Sequence, residues 1–133
     1  MSHPYGANNE TRILSATPLE LVAMLYEAAI SEIRQARRHL AASDVEQRAR
    51  CIIKAVDILG ELAHSLDHQT GGELSAHLAA LYDYTQRLLL DANFRQVDGP
   101  LAEAVALLEP LSESWHELAR REYEVAMPAA LSA

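Results

Sequence analysis

The residues of this chain that most resemble a site for chemistry are two glutamate–x–x–histidine pairs. They are Glu61 with His64 and Glu113 with His116. In a helical bundle such pairs, together with two further inward-facing carboxylates, hold a di-metal centre. The apolar pattern of the same segment predicts that Leu59, Ala63 and Leu66 point inward, which leaves Glu61 and His64 at the flank. A metal centre is therefore the less favoured interpretation, and no metal or cofactor is expected.

Other reactive side chains lack the partners that catalysis needs. His64 and His68 are spaced to hold a stray divalent ion, but surface residues near a helix end explain them better. The single cysteine, Cys51, adjoins Ile52 and Ile53 and is expected to be a small buried residue, not a nucleophile. No phosphate-binding Gly-rich loop, Ser-His-Asp order or CxxC pair appears. An enzyme is not expected, and a small helical enzyme or metal-binding protein is the alternative.

The charge and cysteine content narrow the class of protein further. The formal net charge of −8 argues against nucleic-acid binding, because phosphate contacts need clustered Lys and Arg. One cysteine cannot form an internal disulfide, which fits a reducing compartment. No apolar run approaches the ~20 residues of a membrane span, and no secretory signal pattern opens the chain. A cytoplasmic protein without membrane insertion is expected.

Hydrophobic periodicity predicts four amphipathic helices. Thr17-Pro18-Leu19-Glu20 is a capping box that starts the first, and Ser43 with Glu46 predicts a second box where the next begins. Gly60 interrupts the second helix, and close approach of another backbone would explain it. The Gly71-Gly72 pair predicts a turn before the third helix, and Pro110 predicts a kink in the fourth.

Four such helices with short connections predict an all-α fold, an antiparallel up-down-up-down four-helix bundle with a flexible N-terminal arm. The expected division is an arm at residues 1–16, a bundle at 17–127 and a disordered tail at 128–133. The composition supports helices, since Ala and Leu dominate and only 5% of the residues are aromatic.

The third helix carries more apolar surface than one core needs. Its predicted inward stripe consists of Leu74, Leu78, Leu81, Thr85, Leu88 and Ala92. Tyr82 and Tyr84 are two residues apart and must face different directions, so Tyr82 suits the core and Tyr84 the surface. The run Leu88-Leu89-Leu90 widens the apolar arc further. This surplus suggests a second buried surface, filled by a partner helix or by the arm of the chain itself.

Several blocks of this sequence resemble the FliS family of flagellar export chaperones. They are SATPLELVAMLYEAAI at 15–30, IIKAVDIL at 52–59, SLDHQTGGELSAHLAALYDYTQRLLLDAN at 65–93, and the late tryptophan Trp115. The resemblance extends from about Ser15 to Leu118. It implies a cytoplasmic chaperone that binds the disordered C-terminal segment of flagellin, prevents premature polymerisation and keeps flagellin competent for flagellar type III secretion. A client other than flagellin stays open.

The resemblance also implies an apolar groove that binds flagellin. Its expected residues are Ile53, Leu62, Leu66, Leu74, Leu78, Leu81, Tyr82, Tyr84, Thr85, Leu88 and Leu89. Thr85 stands where the family usually has Met, which makes that position smaller and more polar.

In the family, an N-terminal arm covers part of the groove when flagellin is absent, and an arm tyrosine supports docking to the export gate protein FlhA. Tyr5 is the counterpart of that tyrosine here, and Ile13 and Leu14 are the other apolar anchors of the arm. The arm is expected to be shorter than that of the family, and it is otherwise poor in apolar residues. The free oligomeric state, including a homodimer, is left open.

Overall fold

The computed structural model of the protein describes residues 16–126, which form four helices. They are α1 (Pro18–Ala41), α2 (Val45–His64), α3 (His68–Arg95) and α4 (Gly99–Ala126). Each helix packs against the next one in the chain, and α4 closes the ring against α1. The predicted antiparallel four-helix bundle is confirmed, and residues 16–126 contain no strand. Tyr5, Ile13, Leu14 and the predicted tail at 128–133 lie outside the described residues.

Side-chain caps begin α1 and α2. The Thr17 hydroxyl accepts a hydrogen bond from the Glu20 backbone N–H at 3.2 Å, which confirms Thr17 as the N-cap of α1. At α2 the cap is Asp44, whose carboxylate accepts from the Gln47 N–H at 3.2 Å. The prediction of Ser43 as cap is wrong by one residue, because Ser43 adopts the left-handed conformation, with φ of 60°, that closes the turn after α1.

The third helix begins earlier than its glycine pair predicts. Asp67 caps it, with its carboxylate accepting from the backbone N–H groups of Gln69 and Thr70 at 3.1 and 3.2 Å. The Thr70 side chain, and after it these backbone bonds, hold the pKa of the Asp67 carboxyl below its usual value. One turn of α3 therefore precedes the glycines, and the predicted turn at Gly71-Gly72 is instead a kink inside the helix.

Each glycine of that kink has its own reason. Gly72 has φ of 48° and ψ of −117°, a backbone conformation that residues with a side chain rarely adopt. A Cβ on Gly71 would lie 2.0 Å from the Ser75 hydroxyl. That hydroxyl donates to the backbone carbonyl of Asp67 at 3.0 Å and ties the first turn to the helix beyond the kink.

The core lies along one axis between the four helices. Its largest fully buried side chains are Tyr26, Ile33, Ile52, Leu59, Leu62, Tyr82, Thr85, Leu89, Leu101 and Leu108. Cys51 is 6% exposed and packs in this core, as predicted. Burial and the nearby Glu32 carboxylate raise the pKa of its thiol, so the thiolate is disfavoured.

Gly60 and Pro110, which interrupt the helical sequence pattern, both lie inside continuous helices. Pro110 lies within α4, which is helical on both sides of it. A Cβ on Gly60 would meet the side-chain amide of Gln86 at 3.7 Å and no backbone atom, so the predicted close backbone approach is wrong. The space beside Gly60 instead admits Gln86, whose amide nitrogen donates to the carbonyl of Val56 at 3.0 Å.

Candidate partner-binding surface

The predicted flagellin-groove residues divide into three groups by burial. Leu62, Leu78, Tyr82, Thr85 and Leu89 are buried in the core; Leu66, Leu81 and Leu88 are half-buried against it; Ile53, Leu74 and Tyr84 are exposed. The buried group cannot contact a partner unless the bundle opens, whereas the other six are accessible.

The inward stripe of α3 is rotated from the predicted one. The buried residues are Ser75, Leu78, Tyr82, Thr85, Leu89 and Ala92. Leu81 and Leu88, predicted to point inward, are only half-buried against the core, and the prediction is wrong for Leu74, which is exposed. These leucines turn toward a flank of the helix, where Leu74 is 61% exposed. The rotation leaves apolar surface on α3 outside the core.

The buried polar groups of α3 have partners within the bundle. The hydroxyl of Tyr82 lies 2.8 Å from that of Tyr26 on α1, across the core. Burial raises the pKa of both phenols, so both stay neutral at physiological pH. Thr85 donates its hydroxyl to the carbonyl of Leu81 at 2.8 Å. The hydroxyl is thus satisfied within its own helix, which makes threonine acceptable at a fully buried position.

One accessible apolar surface lies between α3 and α4. The Tyr84 hydroxyl donates to the Glu103 carboxylate and fixes the alignment of the two antiparallel helices. Leu74 lies ten residues, about 15 Å, along α3 from Tyr84, and Leu111 lies eight residues, about 12 Å, along α4 from Glu103, so the two leucines are near the same level. Leu81 and Leu118 belong to the same surface, and Leu118 is 45% exposed. These four leucines, Leu74, Leu81, Leu111 and Leu118, are called the α3–α4 face below.

A second accessible apolar surface lies between α2 and α3. Two hydrogen bonds fix the alignment there, from Arg48 Nε to Asn93 Oδ1 at 3.1 Å and from Gln86 Nε2 to the Val56 carbonyl at 3.0 Å. The level between those bonds contains Ile53 on α2 and Leu90 on α3, which are 54% and 51% exposed. Phe94, one turn beyond Leu90, is 88% exposed. Ile53, Leu90 and Phe94 are called the α2–α3 face below.

Sequence reasoning missed two features of this second face. Phe94 lies after the end of the predicted stripe, and a lone aromatic residue there carries no periodic signal. Arg48 is only 4% exposed, and its guanidinium donates to both the side chain and the carbonyl of Asn93. Its burial depends on a partner 45 residues away, which helical periodicity does not reveal.

The glutamate–x–x–histidine pairs do not converge on a shared site. The residues Glu61, His64, Glu113 and His116 are all exposed. His116 Nε2 lies 3.2 Å from a carboxylate oxygen of Glu27 on α1, a surface contact. Among residues 16–126, no three His, Cys, Asp or Glu side chains lie close enough to hold a metal ion. Over the same residues, no helix is both long and apolar enough to cross a membrane.

Comparison with known proteins agrees with this architecture. The family model described as Flagellar protein FliS matches residues 1–122. The Flagellar secretion chaperone FliS of Salmonella typhimurium is 36% identical over 110 residues, covering 82% of each chain. The protein of the same name from Bacillus subtilis is 34% identical over 122 residues, covering 92% of this chain and 90% of the relative.

A third relative has a slightly different name, FliSB instead of FliS. Flagellar secretion chaperone FliSB of Pseudomonas aeruginosa is 31% identical over 106 residues, covering 80% of this chain and 84% of the relative. The matches thus extend over most of the bundle in each case. By its sequence and its fold, this chain belongs to the FliS family of flagellar secretion chaperones.

Proposed function

We propose that the protein binds the C-terminal segment of flagellin in the cytosol, prevents its premature polymerisation and keeps it competent for flagellar type III secretion. The observation that carries the proposal is the apolar surface on both flanks of α3. Membership of a secretion-chaperone family supports a flagellar export client. The protein acts by binding, and no catalytic step is part of the proposed function.

The two faces suit a client that wraps around one helix. The α3–α4 face and the α2–α3 face flank α3 on opposite sides, so a segment that contacts both must pass around it. Exposed leucine and phenylalanine side chains gain about 25 cal/mol for each Å² of apolar surface that a partner covers. An amphipathic helix laid against such a surface uses anchors spaced i, i+3, i+4 and i+7. The half-buried Leu66 and Leu88 would extend this contact.

The N-terminal arm has a proposed role both before and after the client binds. We infer that Tyr5 contributes to docking of the client-loaded chaperone on the export gate protein FlhA. Ile13 and Leu14 would contact the bundle before the client binds. The resemblance to the family supports these roles.

Calorimetry with a peptide of the flagellin C-terminal segment tests the proposal. Binding should show a strongly negative heat-capacity change, because apolar surface is buried while the client folds. It should persist at about 0.5 M salt, because salt screens charges and leaves apolar burial largely intact. A heat-capacity change near zero would contradict apolar binding. Absence of binding, together with bound metal in elemental analysis, would favour the helical metal-protein or enzyme alternative.

Matched substitutions locate the interface. Leu74→Glu and Phe94→Glu each place a charge on one of the two faces and should weaken peptide binding at least about tenfold. Val125→Glu is the control, because Val125 is 79% exposed and lies outside both faces. All three positions are exposed, so circular dichroism should show an unchanged bundle. Equal weakening by the control would place the client elsewhere.

A further inference from the structure

An apolar groove lies between α1 and α2, on the side of the bundle away from the α3–α4 face. It has a volume of ≈ 350 Å³ and is formed where α1 begins and α2 ends. Its lining consists of Pro18, Leu21, Val22, Met24, Leu25, Glu61 and Ser65. The five residues from α1 are all apolar, whereas Glu61 of α2 contributes a carboxylate and Ser65, the C-cap residue of α2, a hydroxyl. The groove is thus mostly apolar, and Glu61 gives its lining one negative charge.

The half of the bundle that holds this groove carries the whole excess of negative charge. Cut at mid-height, this half comprises residues 16–30, 55–82 and 112–126, with ten Asp and Glu against two Arg. The other half, residues 31–54 and 83–111, has eight Asp and Glu against eight Lys and Arg. The formal net charge of −8 is therefore confined to the first half, which is called the acidic half below.

We propose that this groove binds a short amphipathic helix of a second protein partner, with a basic flank. Apolar side chains of that helix would pack on Leu21, Met24 and Leu25, and its Lys or Arg residues would lie against Glu61 and the acidic half. Helices dock in grooves through apolar anchors on one face. Opposite charge on the two partners selects the orientation and accelerates encounter.

Charge complementarity favours an external partner over the chain itself. Residues 1–15 contain one Glu and one Arg, Glu10 and Arg12, and so bring no net charge to the acidic half. A basic partner neutralises part of that charge, which the segment of the chain preceding α1 does not do.

The partner is distinct from the export client. The residues that line the groove are not among those that define the α3–α4 face or the α2–α3 face. Since α1 and α3 occupy opposite corners of the bundle, the two ligands need not touch.

Two synthetic amphipathic peptides test the proposal on the full-length protein. Both carry leucines at i, i+3, i+4 and i+7, and the remaining positions are lysine in one and glutamate in the other. Amide NMR shifts should change at Leu21, Met24, Leu25 and Glu61 when the lysine peptide is added. The glutamate peptide should bind at least about tenfold more weakly. Equal binding of both peptides, or changes confined to Leu74 and Leu118, would overturn the proposal.

Two charge reversals distinguish the effect of a charge in the groove from the effect of the net charge of the protein. Glu61→Lys and Glu73→Lys alter the net charge equally and both lie in the acidic half, but only Glu61 lines the groove. Glu61→Lys should weaken the lysine peptide about fivefold and Glu73→Lys less than twofold. Equal weakening by the two substitutions would show that the lysine peptide is held by non-specific charge attraction, which would overturn the proposal. Tighter binding after the uncharged double substitution Ile13→Ser and Leu14→Ser would assign the groove to the chain itself and overturn an external partner.

Discussion

The hydroxyl groups of Tyr26 and Tyr82 lie 2.8 Å apart and join α1 to α3 across the diagonal of the bundle. The two rings meet edge to face, with centroids 6.0 Å apart. Each hydroxyl is the nearby polar partner of the other, in a core that is otherwise almost entirely apolar. The pair therefore specifies which faces of the two diagonal helices turn inward.

A double-mutant cycle on this pair should show strong coupling. Tyr26→Phe or Tyr82→Phe alone should cost about 1–2 kcal/mol, because each leaves a buried hydroxyl without its partner. The double substitution should cost clearly less than the sum of the two. Urea unfolding followed by the fluorescence of the single tryptophan, Trp115, measures this, since its ring lies 6.2 Å from that of Tyr26. Additive losses would show that the hydroxyls do not interact.

Stability should fall at alkaline pH through the same pair. The folded pKa values of Tyr26 and Tyr82 are raised by burial, above the value of about 10 in the unfolded chain. The folded state then holds more protons than the unfolded state above pH 10, so the stabilisation is complete below about pH 10 and is lost as pH rises further. Tyrosinate absorbance should show two phenols that ionise only on unfolding. Replacing Tyr82 by Phe should remove one of them, and early ionisation of all five tyrosines would contradict this.

The glycines should respond differently to replacement by alanine. Gly72→Ala should destabilise by more than about 1 kcal/mol, because its positive φ strains any side chain. Gly71→Ala should also destabilise, since its Cβ would collide with Ser75. Gly60→Ala should stabilise by up to about 1 kcal/mol, because its Cβ meets Gln86 at an ordinary contact distance within a helix. Thermal unfolding ranks the three, and Gly99→Ala, which meets no atom within 4 Å, is the control.

Removing the apolar anchors of the arm should strengthen client binding. If Ile13 and Leu14 occupy part of the client surface, replacing both with Asp removes an internal competitor. Apparent affinity for the flagellin peptide should rise about tenfold, because the arm no longer competes with the peptide for the same surface. The gain is modest because ordering an arm costs conformational entropy. Unchanged or weaker binding by an intact bundle would reject the competitor.

The sequence predicted helix number, order and antiparallel packing, because amphipathic periodicity and a cap such as Thr17 are local signals. It failed at the rotation of α3. Leucine recurs at 74, 81 and 88 as regularly as the true inward set does, and the choice between neighbouring stripes depends on contacts across the bundle. Ser75 faces inward, where its hydroxyl donates a hydrogen bond to the backbone carbonyl of Asp67. Arg48 is buried because Asn93 accepts a hydrogen bond from its guanidinium. Both partners become neighbours only in the folded chain.

The uneven charge along the bundle also constrains how two copies can approach each other. Side-by-side packing in the same direction brings two acidic halves together, and their repulsion opposes it within the Debye length of about 8 Å at physiological salt. Packing in opposite directions sets each acidic half beside a half that carries eight residues of each sign. A homodimer of this protein would thus be antiparallel about a two-fold axis, and lowering the ionic strength would strengthen that preference.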